Sequence, residues 1–267
     1  MVSRPNISRR KAFLIHLTIS AAIAASVITL MMLLWYQPPF FSALGGKHLL
    51  LILLGVDVTL GPLITLIIFN PQKSRKALTF DLSAIAIMQT AALLFGISVM
   101  FEARPVFVVF SKGSFDLVTA NMLSKQDIAQ AKYPAYRSLP LTGPVYAYSE
   151  MPADIKDRNE LVFSAMTGGK DLPQYPQYYK PYSDYGQTEG RAAMPLTELI
   201  KLNPAVTAEI DRSVQSSGRA ASDIGYVPLR AKYQDQAVLL GKSDGKVLAL
   251  LDVNPWPVSA MAKHDAK

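Results

Sequence analysis

Asp57, Gly61 and Thr65 stand four residues apart in the apolar stretch Leu49–Phe69, "LLLILLGVDVTLGPLITLIIF", whose one charge is Asp57. That spacing places all three on one face of a helix. At the helical rise, Asp57 lies roughly 12 Å along the run, where bilayer insertion of an aspartate costs ~2.5–3.5 kcal/mol. A group that expensive turns toward other helices. Pro62 has no N–H, so in a regular α-helix the carbonyl of Val58 loses its partner, and in lipid a neighbour has to supply one. A third apolar run offers Gln89, with Asp81 nearer its start. Two readings stay open. Asp57 and Gln89 bond across the helices and hold the bundle together, or the small polar face docks a membrane helix of another protein. Asp81 is expected in the first turn of its helix, where an acid suits the dipole, and His16 is expected to snorkel to an interface.

Little else could do covalent or metal chemistry. The chain has no cysteine, which excludes disulfides, thiolate nucleophiles and Cys-ligated metals. Beyond the apolar region its one histidine is His264, so the usual triad base and imidazole ligands are missing. "TGGK", residues 167–170, lacks the G-x-x-x-x-G-K-[ST] spacing of a phosphate loop and reads as a turn. No catalytic residue, metal ligand or cofactor is expected, and the chain is read as a non-enzyme.

Three apolar runs must position the polar stripe: residues 12–36, 49–69 and 78–101. Each has the ~20 residues needed to cross ~30 Å of hydrocarbon. The first outruns the ~7–15-residue core of a cleavable signal, so it is read as an uncleaved anchor, with Trp35 and Tyr36 at the interface. The net charge of +7 is concentrated here: residues 1–101 carry eight Lys/Arg and two acids. Four of those bases lie in the N-terminal tail and three in the loop "NPQKSRKA", against Lys47 alone in the loop after the first run. The excess is therefore read as membrane topology, not as a nucleic-acid footprint. The tail and the 70–77 loop face the cytoplasm, and everything after Phe101 lies outside.

The reading is thus a membrane protein: a cytoplasmic tail (1–11), a three-helix transmembrane bundle (12–101) and a small α+β periplasmic domain (102–267). In that domain "RPVFVVFSKGSFDLVTA" reads as two strands around a tight turn, and "SKQDIAQAK" and "DRNELVFSAM" read as helices. "NPAVTAEIDRSVQSSG" reads as a helix with Asn203 as its cap. "QAVLLGKSDGKVLALLDV" reads as a hairpin turning at Ser243–Gly245. The segment 172–186 carries Tyr175, Tyr178, Tyr179, Tyr182 and Tyr185 among prolines. Rigid tyrosines suit a partner-contact loop, although an irregular loop packed on its own domain, or one resting on the membrane, has the same composition.

Several stretches carry a family likeness: "KAFLIHLTIS" (11–20), "WYQPPFF" (35–41), "LLGVDVTLGPLITLIIFNP" (53–71), "ARPVFVVF" (103–110), "RNELVFSAMTGGKDL" (158–172) and "KVLALLDVNPW" (246–256). In these the sequence resembles the TfpX/TfpZ-type type IV pilin accessory proteins of Gram-negative bacteria. The resemblance implies a non-enzymatic inner-membrane protein that binds its cognate major pilin and aids or modulates its assembly, alongside other pilus components. The candidate contact with the pilin's membrane helix is then Asp57, Gly61, Pro62, Thr65 and Gln89, and the candidate periplasmic contact is the Tyr175–Tyr185 segment. The rival readings are a periplasmic-ligand sensor or other envelope assembly factor, and a membrane-bound transferase.

Overall fold

A computed structural model describes residues 8–256, so Arg4 and His264 lie outside the described residues. The chain divides into two units. The first comprises residues up to Leu34 together with Gly46–Ala103, and the second comprises Trp35–Gly45 together with the chain from Arg104 onward.

The first unit is three long helices, α1 (Arg9–Leu34), α2 (Gly46–Ile68) and α3 (Arg75–Glu102), all long and apolar enough to cross a membrane. Their large side chains point outward: Ile67, Phe80, Ile87 and Phe95 are each more than two-thirds exposed. Thr18, Ser26 and Thr29 of α1 bond their hydroxyls back to the carbonyls of Leu14, Ala22 and Ala25, a pattern Ser and Thr adopt inside helices. The third helix starts three residues earlier than expected, because the Ser74 hydroxyl accepts from the Ala77 N–H and caps it. Asp81 therefore sits in the second turn, not the first. Its partner is Lys73, 2.5 Å away, rather than the helix dipole.

The second unit is a mixed sheet in the order β4-β3-β1-β2-β6-β7-β8, with β5 pairing β6. Its strands are β1 (Pro105–Ser111), β2 (Ser114–Thr119), β3 (Val145–Ser149), β4 (Tyr179–Pro181), β5 (Met194–Pro195), β6 (Ile224–Arg230), β7 (Gln236–Gly241) and β8 (Val247–Leu251). The β1–β2 hairpin turns through Lys112 (φ 51°) and Gly113 (φ 82°). Two consecutive positive φ values match the right-handed strand twist. Parallel strands flank this hairpin, β3 on β1 and β6 on β2. Helices Ile155–Met166 and Thr207–Ser216 occupy the expected stretches. Asn203 departs from expectation: its side chain does not cap the following turn but donates to the carbonyls of Leu199 and Asn254.

One apolar cluster gathers Phe107, Val109, Val118, Tyr136, Ala147 and Tyr179. A second gathers Leu199, Ile210, Ile224, Tyr226, Leu239 and Leu251. The segment Trp35–Gly45 is built into this unit. The Gln236 amide donates to the Pro39 carbonyl at 2.9 Å, and the Tyr233 N–H donates to the Ala43 carbonyl at 3.1 Å. Tyr36 has 0% exposure. It is therefore not the interfacial ring that its position after an apolar run implied. Gly45 (φ 71°) lies so close to the Tyr233 ring that a Cβ would fall 2.8 Å from it, so only glycine fits.

Candidate functional site

The polar stripe of α2 is turned inward. Asp57 is 7% exposed and Thr65 2%, and Gly61 and Pro62 are buried. The backbone explains the arrangement. Residues Gly55–Leu60 form a π-turn, in which the Gly61 N–H reaches back five residues to the Val56 carbonyl. In that register the next donor, for the Asp57 carbonyl, would be residue 62, and Pro62 has none. The Gln89 side-chain amide fills the gap, donating to the Asp57 carbonyl at 3.0 Å. The sequence pointed to an orphaned carbonyl met by Gln89. The π register moves that orphan by one residue, from Val58 to Asp57.

Gln89 is held from its other end. Its Oε1 lies 2.7 Å from His16 Nε2, and His16 Nδ1 lies 2.6 Å from Thr65 Oγ1. The Gln89 oxygen can only accept, so Nε2 donates, and in the neutral ring Nδ1 then accepts from the Thr65 hydroxyl. His16, Thr65, Gln89 and the Asp57 carbonyl thus form a chain running through all three helices. Gly61 makes this possible, because any Cβ there would strike the Gln89 amide. His16 was not read as a member of this group. The available signal was its ring inside an apolar run, facing two other runs that each carried an amide or hydroxyl. The Asp57 carboxyl takes no visible part: its Oδ1 is buried with no hydrogen-bond partner.

The tyrosine-rich segment is not a free loop. Tyr179 is buried at 1% exposure in edge strand β4, its ring 5.4 Å from those of Phe107 and Tyr136, and its hydroxyl bonds the Pro173 carbonyl. The Tyr182 hydroxyl donates to the Gly245 carbonyl at 2.9 Å, and the Tyr185 ring stacks on Tyr148 at 4.1 Å. Tyr175 and Tyr178 are half-exposed beside helix Ile155–Met166, the former reaching Ser164 Oγ at 3.4 Å. The prolines lock short turns that feed Tyr179, Tyr182 and Tyr185 into packing, one of the alternatives the composition left open. "TGGK" is a turn, with Gly168 at φ 79° and Lys170 bonding Asp127 at 2.5 Å.

Among the described residues no group of three or more His, Asp or Glu could hold a metal ion. The most perturbed carboxylate of the sheet unit is Asp116, pushed up to about 6 by burial; nearby Arg230 and a hydrogen bond from Ser111 offset part of that. Lys170 and the Ser124 cap hold Asp127 below the usual carboxylate range against its own burial. Asp116 accepts from the Ser111 hydroxyl across the β1–β2 hairpin, and Asp127 accepts from the Ser124 hydroxyl at a helix cap.

Comparison with known proteins gives these arrangements a context. The family described as fimbrial assembly protein FimB matches residues 5–45, the stretch that holds His16 and the segment built into the sheet unit. A fimbrial assembly protein of Dichelobacter nodosus serogroup I is 29% identical over 216 residues, covering 80% of this chain and 83% of the relative. The serogroup E1 protein of that organism is 29% identical over the same shares. The fimbrial assembly protein of serogroups C1 and C2 is 37% identical over 120 residues, 45% of this chain and 88% of the relative. No solved structure matches the chain. With 37% identity over 120 residues that span 88% of that last relative, the chain belongs to the fimbrial assembly protein family.

Proposed function

We propose that this protein is a non-enzymatic inner-membrane accessory factor of type IV pilus biogenesis, which binds its cognate major pilin and aids or modulates its assembly. The observation that carries the reading is kinship with fimbrial assembly proteins in a chain whose first unit is three helices long and apolar enough to span a bilayer. The proposed orientation puts the N-terminus in the cytoplasm and the sheet unit in the periplasm. Two independent features support it. The Lys/Arg residues cluster in the tail and the 70–77 loop. The segment after α1 and the chain after α3 fold into one unit, which fits three crossings that bring both out on the same side, opposite the tail and the 70–77 loop.

For the polar stripe, the geometry favours a brace: the His16–Thr65–Gln89 chain satisfies the helices from within. A second reading, docking of the pilin's membrane helix at Asp57, is favoured by one observation, the buried and unpartnered Oδ1. The proposal as a whole is tested in the native host. Deleting the gene should reduce surface pili, and protease added to intact spheroplasts should remove the C-terminal half. Normal piliation in the deletion strain would reject the function. A protected C-terminal half, with a periplasmic control digested, would reject the orientation.

A further inference from the structure

Helix Ile155–Met166 is firmly ended but poorly covered. Asp154 caps it by accepting from the N–H groups of Lys156 and Asp157, and Gly168 at φ 79° ends it. Between those ends only Leu161 is buried. Ile155 is 72% exposed, Val162 40%, Phe163 69% and Met166 82%. Their spacing of i, i+7, i+8 and i+11 gathers them into one stripe along the helix. A 12-residue helix draws most of its stability from a packed apolar face. Here that face is turned away from the domain.

Three occupants are conceivable, and the chemistry separates them. A helix that rests on lipid carries a polar face rich in Lys and Arg. This one carries Lys156 and Arg158 against Asp157 and Glu160, with no net charge to draw it to anionic headgroups. A second copy would need roughly 800 Å² from each partner for a stable dimer, whereas the four side chains expose on the order of 500 Å². An area of that size fits a transient protein contact. We infer that the Ile155–Val162–Phe163–Met166 face is the surface on which an apolar patch of the unassembled fimbrial subunit's extracytoplasmic head docks. This rests on the proposed function, and it moves the periplasmic contact from the tyrosine segment to the adjacent helix. A subunit has to be handed on to the growing fibre, so a contact of limited area suits the task better than a permanent one.

The test is photocrosslinking in living cells from the full-length protein, with the photoreactive residue at position 162 or 163 and a control at exposed Gln215. Captured bands are identified by mass spectrometry. The fimbrial subunit is expected from 162 and 163 and not from 215. The pair Phe163→Asp and Met166→Asp, read from position 162, should cut that yield about tenfold, the scale of losing one hot-spot side chain, while Phe163→Leu with Met166→Leu keeps it. Both pairs lie on an exposed face, so equal membrane levels are expected. Capture of lipid or of a second copy from 162 and 163 would overturn the surface. So would an absent subunit band there while the subunit still co-purifies with the intact protein; in that case the proposed function survives. If the subunit neither co-purifies nor crosslinks from any position, the function falls, and this inference with it.

Discussion

Gln89 donates its side-chain amide to the main-chain oxygen of Asp57, 3.0 Å away, and so replaces a backbone donor that Pro62 removes. The bond matters because a part-buried main-chain carbonyl left without a donor costs free energy. Replacing Gln89 with Leu should leave that carbonyl unmet and break the link to His16, at a cost of about 1–3 kcal/mol. A lower melting temperature of the full-length protein in detergent would report it. An unchanged melt would mean that the bundle does not depend on the brace.

The same relationship predicts a rescue. Pro62→Ala restores an N–H at the position where the π-turn lacks one, so the Asp57 carbonyl regains a backbone donor whichever register the helix settles into. The Gln89→Leu change should then cost less in the Pro62→Ala background than in the native chain, by about 1 kcal/mol of coupling. Melting temperatures of the four proteins give that coupling directly. Strict additivity would show that proline is not why Gln89 sits where it does.

How much of this was legible depended on whether a residue's partner lay in its own element. Ser124 and Asp127, Lys112 and Gly113, and Gly168 carry their cap or turn chemistry locally, and the elements they define lie where the sequence places them. Asp57, Pro62 and Gln89 were legible as a problem and its remedy, because a missing N–H and an amide in apolar runs are both sequence facts. The one-residue shift of the orphan was not, because the choice of π over α register is made by packing. His16 and Tyr36 were misread, and the tyrosine segment stayed open between internal packing and partner contact, for a common reason. An amphipathic ring has the same composition whether it rests at an interface or is buried with its polar atom bonded, and only tertiary contact separates the two.

The segment Trp35–Gly45 yields a third prediction. Its hold on the sheet unit passes through Gln236, whose amide reaches the Pro39 carbonyl and Ser42 Oγ. Gln236→Leu keeps most of the side-chain volume and removes both donations. Amide hydrogen exchange across residues 40–45 should accelerate by roughly tenfold or more, the equivalent of the 1–3 kcal/mol for an unmet buried acceptor. The strands β1 and β2 should exchange as before. If the segment stays protected, its burial of Tyr36 and Phe40 suffices and the glutamine is dispensable.

Asp116 gives the pH dependence. Burial raises its carboxyl to about 6 in the folded unit from the 3.8 of an exposed aspartate. In the pH interval between those values the folded state holds the proton more firmly than the unfolded chain does. Stability from this group therefore falls as pH rises from about 4 to about 6 and levels off above that. Asp127 and Asp171, which are held below the usual range, work in the opposite sense, as acids whose support is lost as pH falls. Asp116→Asn removes the ionisation while retaining an oxygen that can accept from Ser111. The variant should match the native protein near pH 4 and exceed it at pH 7 to 8 by about 1–2 kcal/mol, once partial solvation and the nearby Arg230 are allowed for. Melting temperatures in detergent across that range check it. A gap between the two proteins that fails to widen from pH 4 to pH 7 would show that the Asp116 carboxyl ionises as freely in the folded sheet as in the unfolded chain.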